Sequence, residues 1–159
     1  MEEEIRGKME TNQAWVLVDK VPVGRKLMKG KWVFKIKYKD DGSVDKFKTR
    51  WVGCGYSQVS GVDFNAHEIY ASTLSTESVR IFLAAATADN LTLVEADVIK
   101  AFTTGDMDNT TLYVEQPHGF ADPTKAGCLL KRPLEGARQA AALFAKSNAD
   151  WISGMGYTR

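Results

Sequence analysis

Long apolar runs are missing from this sequence of 159 residues. No stretch approaches the roughly 18 to 20 apolar residues that a bilayer-spanning helix needs, so we expect no transmembrane segment and no membrane partner. The first four residues, Met1-Glu2-Glu3-Glu4, are acidic, whereas a secretory signal begins with basic residues and continues with apolar ones. The sequence therefore predicts an intracellular protein of the cytoplasm or the nucleus.

Cysteine is scarce as well. Cys54 and Cys128 are too few for a disulfide framework, and no Cys-X-X-Cys pair or Cys/His cluster suggests zinc, so we expect two reduced thiols. The composition, 44% apolar and 26% charged residues with four prolines, excludes a disordered, collagen-like or coiled-coil chain. A chain of this length has enough residues for one hydrophobic core, which predicts a single domain over residues 1–159.

The net charge of +1 conceals a strong asymmetry along the chain. Residues 20–50 contain eleven Lys or Arg against three Asp or Glu, whereas residues 60–122 contain two basic residues against ten acidic ones. This division is typical of a protein that binds a polyanion on one surface and cations on another. Two solvated faces that partly neutralise each other would explain the same charges.

Apolar periodicity and turn residues predict the secondary structure. Strands are expected at residues 15–18, 31–39, 44–54, 91–97, 112–115 and 128–131, and helices at residues 2–12, at 136–152 and from a cap at Ser75 or Thr76 to about residue 90. Because strands and helices do not alternate regularly, we predict an α+β fold with an antiparallel sheet and packed helices.

Strands 31–39 and 44–54 surround the turn Asp40-Asp41-Gly42-Ser43 and predict an antiparallel hairpin. One side of this hairpin, which we name the basic face, consists of Lys35, Lys37, Lys46, Lys48 and Arg50. The opposite side carries Trp32, Phe34, Ile36 and Tyr38 and is expected to be half-buried.

Asp97 follows the apolar segment 91–96, and a carboxylate at the end of a strand can reach a metal ion. Polymerases hold two Mg²⁺ ions with carboxylates placed in this way. A carboxylate that caps a turn would also explain Asp97.

Eight segments occur in an order and spacing that are specific together, although each one alone is a weak signal. They are NQAWVLV (12–18), KWVFKIKYKDDGS (31–43), FKTRWV (47–52), GYSQ (55–58), GVDF (61–64), SVRIFLA (78–84), ADVIKAF (96–102) and YVEQPHGF (113–120). In these segments the chain resembles the reverse transcriptase, an RNA-dependent DNA polymerase, of copia-type LTR retrotransposons. The resemblance implies the fingers and palm of such a polymerase, with a basic fingers hairpin and loop at about residues 20–75 and a partial palm at about residues 76–159.

The resemblance also implies roles for individual residues. Asp97 matches the first metal-binding aspartate, and Val98 matches the position whose backbone carbonyl reaches the metal. Phe102 matches the aromatic residue that excludes a 2′-hydroxyl, although a plain core aromatic remains an alternative. Lys48 and Arg50 match basic positions near the triphosphate, where a guanidinium binds phosphate bidentately, and a solvated strand face is their alternative.

Gly136 and Gln139 match the segment beneath the template and the nucleotide, but this segment departs from the family. Relatives have an aromatic residue followed by Gly-Leu-Lys-Gln-Ala-Pro-Arg, whereas this chain has Glu135 followed by Gly-Ala-Arg-Gln-Ala-Ala-Ala. A carboxylate near a polyanion costs on the order of 1–4 kcal/mol, so we expect Glu135 to repel one.

The sequence ends at Arg159, before the hairpin with two adjacent aspartates that completes the metal site in the family. We therefore expect that this chain alone is not an enzyme and holds no cofactor, although the parent family uses Mg²⁺. The resulting hypothesis is a catalytically incomplete reverse transcriptase-like protein that binds RNA or DNA non-specifically through its basic face.

The alternative hypothesis is a domesticated protein-interaction module, a regulator or host-targeting effector with no nucleic-acid role. An uncovered sheet edge would then bind a protein partner or a second copy of the chain. A decayed product without function is a third interpretation.

Overall fold

A computed structural model describes residues 1–107 and 109–157, without the side chains of residues 10 and 11, so Arg159 lies outside the described residues. The elements are α1 (Glu2–Arg6), a π-helical segment (Gly7–Thr11), β1 (Trp15–Val18), β2 (Leu27–Met28), β3 (Gly30–Tyr38), β4 (Val44–Gly53), α2 (Thr76–Ala88), β5 (Tyr113–Val114), β6 (Gly127–Leu130) and α3 (Ala140–Gly154). Short 3₁₀ helices lie at Gly55–Ser57, Ala66–Glu68 and Ala101–Thr104. The combination of sheets and helices agrees with the predicted mixed fold. No helix of the described residues is long and apolar enough to cross a membrane.

Four strands form one sheet in the order β1-β6-β5-β2. The pairs β1–β6 and β5–β6 are antiparallel, but β2 and β5 pair in parallel. The prediction of a purely antiparallel sheet is therefore wrong for this pair. A parallel pair needs a crossover of a dozen or more residues, and the long connection from Met28 to Tyr113 provides it.

The core lies around this four-stranded sheet. Trp15, Val114 and Cys128 are buried on its strands, and they belong to one cluster with Leu134, which precedes α3, and Ala140, the first residue of α3. Burial raises the pKa of the Cys128 thiol to about 12, because the apolar surroundings disfavour a thiolate.

The predicted hairpin is confirmed as β3 and β4, a second sheet of two antiparallel strands. Its base is anchored by Trp51, which is buried, and by Trp32, whose ring centroid lies 5.2 Å from that of Trp51. The indole Nε1 of Trp32 donates to the backbone oxygen of His118 at 3.0 Å. The hairpin is therefore fixed to the remainder of the fold at its Trp32 end.

The opposite side of the hairpin is not half-buried as predicted. Phe34 is 66% exposed and Tyr38 is 61% exposed, because a two-stranded sheet has no second layer and no described residue covers this side towards its tip. The alternation of apolar and polar residues along a strand indicates which residues share a side. It does not show whether another element covers that side.

Two other predicted elements differ from the structure. Residues 91–97 form no strand, and Val94 is 89% exposed, because a strand requires a neighbour to pair with and none of the described strands pairs with this segment. The helix predicted from residue 136 begins at Ala140, since Gly136 has a φ of +87° that a right-handed helix cannot contain. Helix α2 is confirmed, and Ser75 caps it by accepting from the Ser78 backbone N–H at 3.1 Å.

Candidate nucleic-acid interface

The register of the hairpin places the residues of the basic face side by side. Lys35 lies directly opposite Lys48, and Lys37 lies directly opposite Lys46. Directly opposed side chains of an antiparallel pair are on the same side of the sheet, so the lysines are forced together. Like charges in this position repel each other, and the binding of an anion would relieve the repulsion.

A cavity of about 450 Å³ connects the basic face with the segment that follows the predicted strand 91–97. Lys48 and Arg50 line it from β4, while Asp97, Val98 and Phe102 line it from the other side. The structure therefore brings together five residues that the sequence analysis selected from two distant segments. The roles assigned to them remain predictions.

Phe102 both lines the cavity and supports it. Its ring packs edge-on against Phe144 of α3 with the ring centroids 6.2 Å apart, and its side chain contacts the core. It follows Lys100, which has a φ of +55°, and belongs to the 3₁₀ helix Ala101–Thr104. The same side chain therefore packs against the core and lines the cavity.

A second cavity, of about 310 Å³, lies along the basic face. Lys37, Lys46 and Lys48 line it together with Lys100 and with Glu3 of α1. Lys35 lines neither of these two cavities, and it reaches the site only through its position opposite Lys48. The two cavities share Lys48, Lys100 and Glu4, so cations of the basic face and carboxylates lie along the same surface.

Gly136 and Gln139 have structural positions away from the main cavity. The backbone oxygen of Gly136 accepts from the Gly55 N–H at 3.0 Å, which extends the pairing of β4. Gln139 is buried, donates to the Asp63 backbone oxygen at 3.0 Å and accepts from Gln58 Nε2 at 3.0 Å. The nucleotide-binding role predicted for these two residues remains a prediction.

Glu135 also lines the main cavity, as does Glu4 of α1. Both carboxylates bind the ammonium group of Lys8, at 2.9 Å from Glu4 Oε1 and 3.1 Å from Glu135 Oε2. The expectation that Glu135 repels a polyanion therefore did not include this cation, which the sequence analysis missed. The sequence contains a signal for the pair with Glu4, since Lys8 lies four residues after it, but none for the pair with Glu135.

Mg²⁺ is bound in proteins by converging carboxylates, and three carboxylates line the main cavity. Asp97 is the one carboxylate of this cavity that no described ammonium or guanidinium group approaches within 4.0 Å. Among the side chains that the structure describes, no group of three His, Cys, Asp or Glu is arranged to hold a metal ion. These residues alone therefore do not fit a pair of Mg²⁺ ions, and further ligands would have to come from elsewhere.

Comparison with known proteins gives consistent matches. The family model described as "Reverse transcriptase (RNA-dependent DNA polymerase)" matches residues 12–159. The chain is 35% identical over 142 residues to the "Retrovirus-related Pol polyprotein from transposon TNT 1-94" of Nicotiana tabacum, which is 88% of this chain and 10% of that protein. It is 33% identical over 131 residues to the Pol polyprotein from transposon RE1 of Arabidopsis thaliana, which is 81% of this chain and 9% of that protein. No solved structure matches.

These matches contradict the prediction that the chain is not an enzyme. That prediction rested on the position of Arg159, but the chain spans about a tenth of the length of the transposon polyproteins that it matches. Its last residue therefore carries no information about the metal ligands of the whole protein. The names of these relatives likewise lend no support to an effector or a domesticated interaction module.

Proposed function

Because the chain belongs to the reverse transcriptase (RNA-dependent DNA polymerase) family, we propose that it is a segment of an RNA-directed DNA polymerase that binds nucleic acid and nucleotide phosphate. The observation that carries this proposal is the cavity between Lys48 and Arg50 on one side and Asp97 and Phe102 on the other. In this proposal β3 and β4 belong to the fingers, and the residues after about 76 belong to the palm.

The charges of the basic face support binding of a polyanion. Among the side chains that the structure describes, none of its five residues forms an ion pair within 4.0 Å, and the lysines oppose each other across the hairpin. Phosphate groups would neutralise these cations and release counterions, which makes the binding non-specific in sequence and sensitive to salt. Arg50 would contribute two parallel hydrogen bonds to one phosphate.

Asp97 and Phe102 extend the proposal to the nucleotide. Asp97 would supply one carboxylate to a Mg²⁺ ion, which in such enzymes neutralises charge on the transferred phosphate. The backbone carbonyl of Val98 would lie beside it. Phe102, whose ring packs against that of Phe144, lines the same cavity and would contact the sugar next to the phosphates.

The proposal is tested by binding of a fluorescently labelled primed-template DNA to the chain at several salt concentrations. Lys37→Glu with Lys48→Glu should weaken binding at least about tenfold at low salt. The slope of log affinity against log salt should fall by about 0.9 for each duplex phosphate contact that is lost.

A matched control is Lys20→Glu with Lys26→Glu, which makes the same charge change at exposed positions outside the hairpin. If both double variants weaken binding equally, net charge alone explains the affinity and the proposed interface is wrong. Absence of any binding by the unaltered chain would contradict the nucleic-acid role itself.

A further inference from the structure

Lys8 is a buried lysine at the junction of three segments. Its residue is 1% exposed, and its Nζ donates to the backbone oxygen of Trp51 at 2.7 Å. The same ammonium group lies 2.9 Å from Glu4 Oε1 and 3.1 Å from Glu135 Oε2. Taking a lysine out of water is costly unless its charge is paired, and here all three donor directions of the ammonium group are used.

The charges around the main cavity show what this lysine contributes. Three carboxylates line the cavity, those of Glu4, Asp97 and Glu135, and three cations line it, those of Lys48, Arg50 and Lys100. These six charges cancel. Lys8 lies directly behind the first and third carboxylates, so its positive charge leaves the cavity and its wall with a surplus of one cation.

We propose that Lys8 is a positioning residue that compensates Glu4 and Glu135 and thereby keeps the cavity beside Asp97 able to accept a polyphosphate. Lys8 lies outside residues 12–159, so the family match does not extend to it. The inference rests on the proposed function, because it assumes that the cavity accepts phosphate. It adds that Glu135 is compatible with phosphate binding only while Lys8 holds it.

A purely structural role is the competing explanation, since Lys8 also ties the helical segment to β4 through the Trp51 backbone oxygen. The two explanations differ in the effect of Glu135. If Lys8 acts through charge, removing the carboxylate of Glu135 compensates for removing Lys8. If Lys8 acts by holding Trp51, the loss of that hydrogen bond persists whatever residue is at position 135.

The experiment measures binding of inorganic tripolyphosphate to the chain by titration calorimetry for a cycle of variants. Lys8→Met keeps the apolar stem and removes the charge, and it should weaken binding roughly three- to tenfold. Glu135→Gln should strengthen binding by a factor of about two to five, because one opposing charge is lost. The double variant should return to within about twofold of the unaltered chain.

Asp19→Asn is the matched control, since it removes a carboxylate from an exposed ion pair with Lys125 and does not line the cavity; it should leave the affinity unchanged. The inference is overturned if the double variant binds as weakly as Lys8→Met, or if Glu135→Gln does not bind more tightly. The measurement on Glu135→Gln tests the inference even if Lys8→Met fails to fold. Loss of primed-template binding in the Lys37→Glu, Lys48→Glu variant reports on the proposed function separately.

Discussion

At the scale of single residues, Gly136 shows how closely the segment before α3 approaches the hairpin. Its φ of +87° lies in the left-handed region, and a Cβ atom would collide with the backbone oxygen of Gly53. Both restrictions favour glycine, and the backbone oxygen cannot move without breaking the pairing of Gly53 with Glu135. The glycine is therefore required by the contact that joins β4 to the wall of the cavity.

Gly136→Ala should lower the free energy of unfolding by about 3 kcal/mol or more, because left-handed strain and a backbone collision add together. Gly42→Ala is the matched control, since Gly42 has a φ of +81° but open space around its Cβ position. It should cost only about 1–2 kcal/mol. Urea unfolding of both variants measures the difference, and equal losses would contradict the role given to the contact with Gly53.

The Cys128 thiol predicts a dependence of stability on alkaline pH. Its pKa in the folded chain is about 12, above the ordinary thiol value of about 8.5, so the unfolded chain loses this proton at lower pH. The unfolded state then binds fewer protons, and the stability contributed by this group falls as the pH rises from about 9 to 12.

Cys128→Ala should therefore flatten the decline of the unfolding free energy between about pH 9 and pH 11, although a cavity lowers its stability at neutral pH. The unfolding free energy of both proteins is measured by urea unfolding across this pH range. Comparison of its two slopes against pH removes the contribution of lysines and tyrosines, which titrate in both proteins. Parallel slopes would show that the buried thiol does not cause the decline in unfolding free energy over this pH range.

At the scale of elements, the positive charges of the hairpin lower its stability. Its opposed pairs Lys35–Lys48 and Lys37–Lys46 are destabilising by themselves. Lys46→Glu converts the second pair into an attractive one and should raise the free energy of unfolding by about 0.2–1 kcal/mol. The same change should weaken binding of the primed template, because it removes a cation from the basic face.

Lys31→Glu provides the comparison for this prediction, since Lys31 is on β3, the other strand of the hairpin, and lies opposite Val52, which carries no charge. It should not stabilise the hairpin. Urea unfolding and template binding are measured on both variants. An equal stability change in the two would show that the opposed lysines do not repel each other measurably.

The hairpin is also the element that the sequence predicts best. Alternation on both strands and the turn at Asp41 and Gly42 are local signals, and the structure has β3 and β4 within one residue of the predicted bounds. The shared cavity of Arg50 and Asp97 follows from the family resemblance, because no local pattern brings two such distant residues together. The strand predicted at residues 91–97 is wrong, because none of the described strands pairs with its apolar residues Leu91, Leu93 and Val94.

Charge compensation within the site could not be predicted in the same way. In the sequence, Lys8 has the features of an exposed helical residue. Its burial depends on hydrogen bonds to the Trp51 backbone oxygen and to Glu135, which lie in two other segments. Conversely, Glu135 was expected to oppose a polyanion because its partner was unknown. Pairing of charges across long sequence distances follows from the fold, which composition does not specify.

At the scale of the whole molecule, burial is distributed unevenly. The sheet β1-β6-β5-β2 and the base of the hairpin contain half of the residues of the core, whereas in α2 only Ala86 is buried. Ile81 of α2 is 70% exposed, and Phe82 is 60% exposed. A helix of 13 residues without packing is marginal in water, so we expect α2 to unfold locally long before the sheet does.

Hydrogen exchange followed by mass spectrometry tests this expectation through the cap of α2. Ser75→Ala removes the hydrogen bond to the Ser78 N–H, which is worth about 1 kcal/mol, and should lower the protection of the α2 amides about fivefold. Because α2 contributes little to the core, the urea midpoint of the whole chain should remain unchanged. Glu77→Gln also lies in the first turn and leaves the Ser75 cap in place, so it should change protection far less. Ser75→Ala would contradict this expectation if it lowered the urea midpoint together with the exchange protection. In that case α2 unfolds with the sheet as one cooperative unit, and its apolar residues stabilise the whole chain although they are exposed.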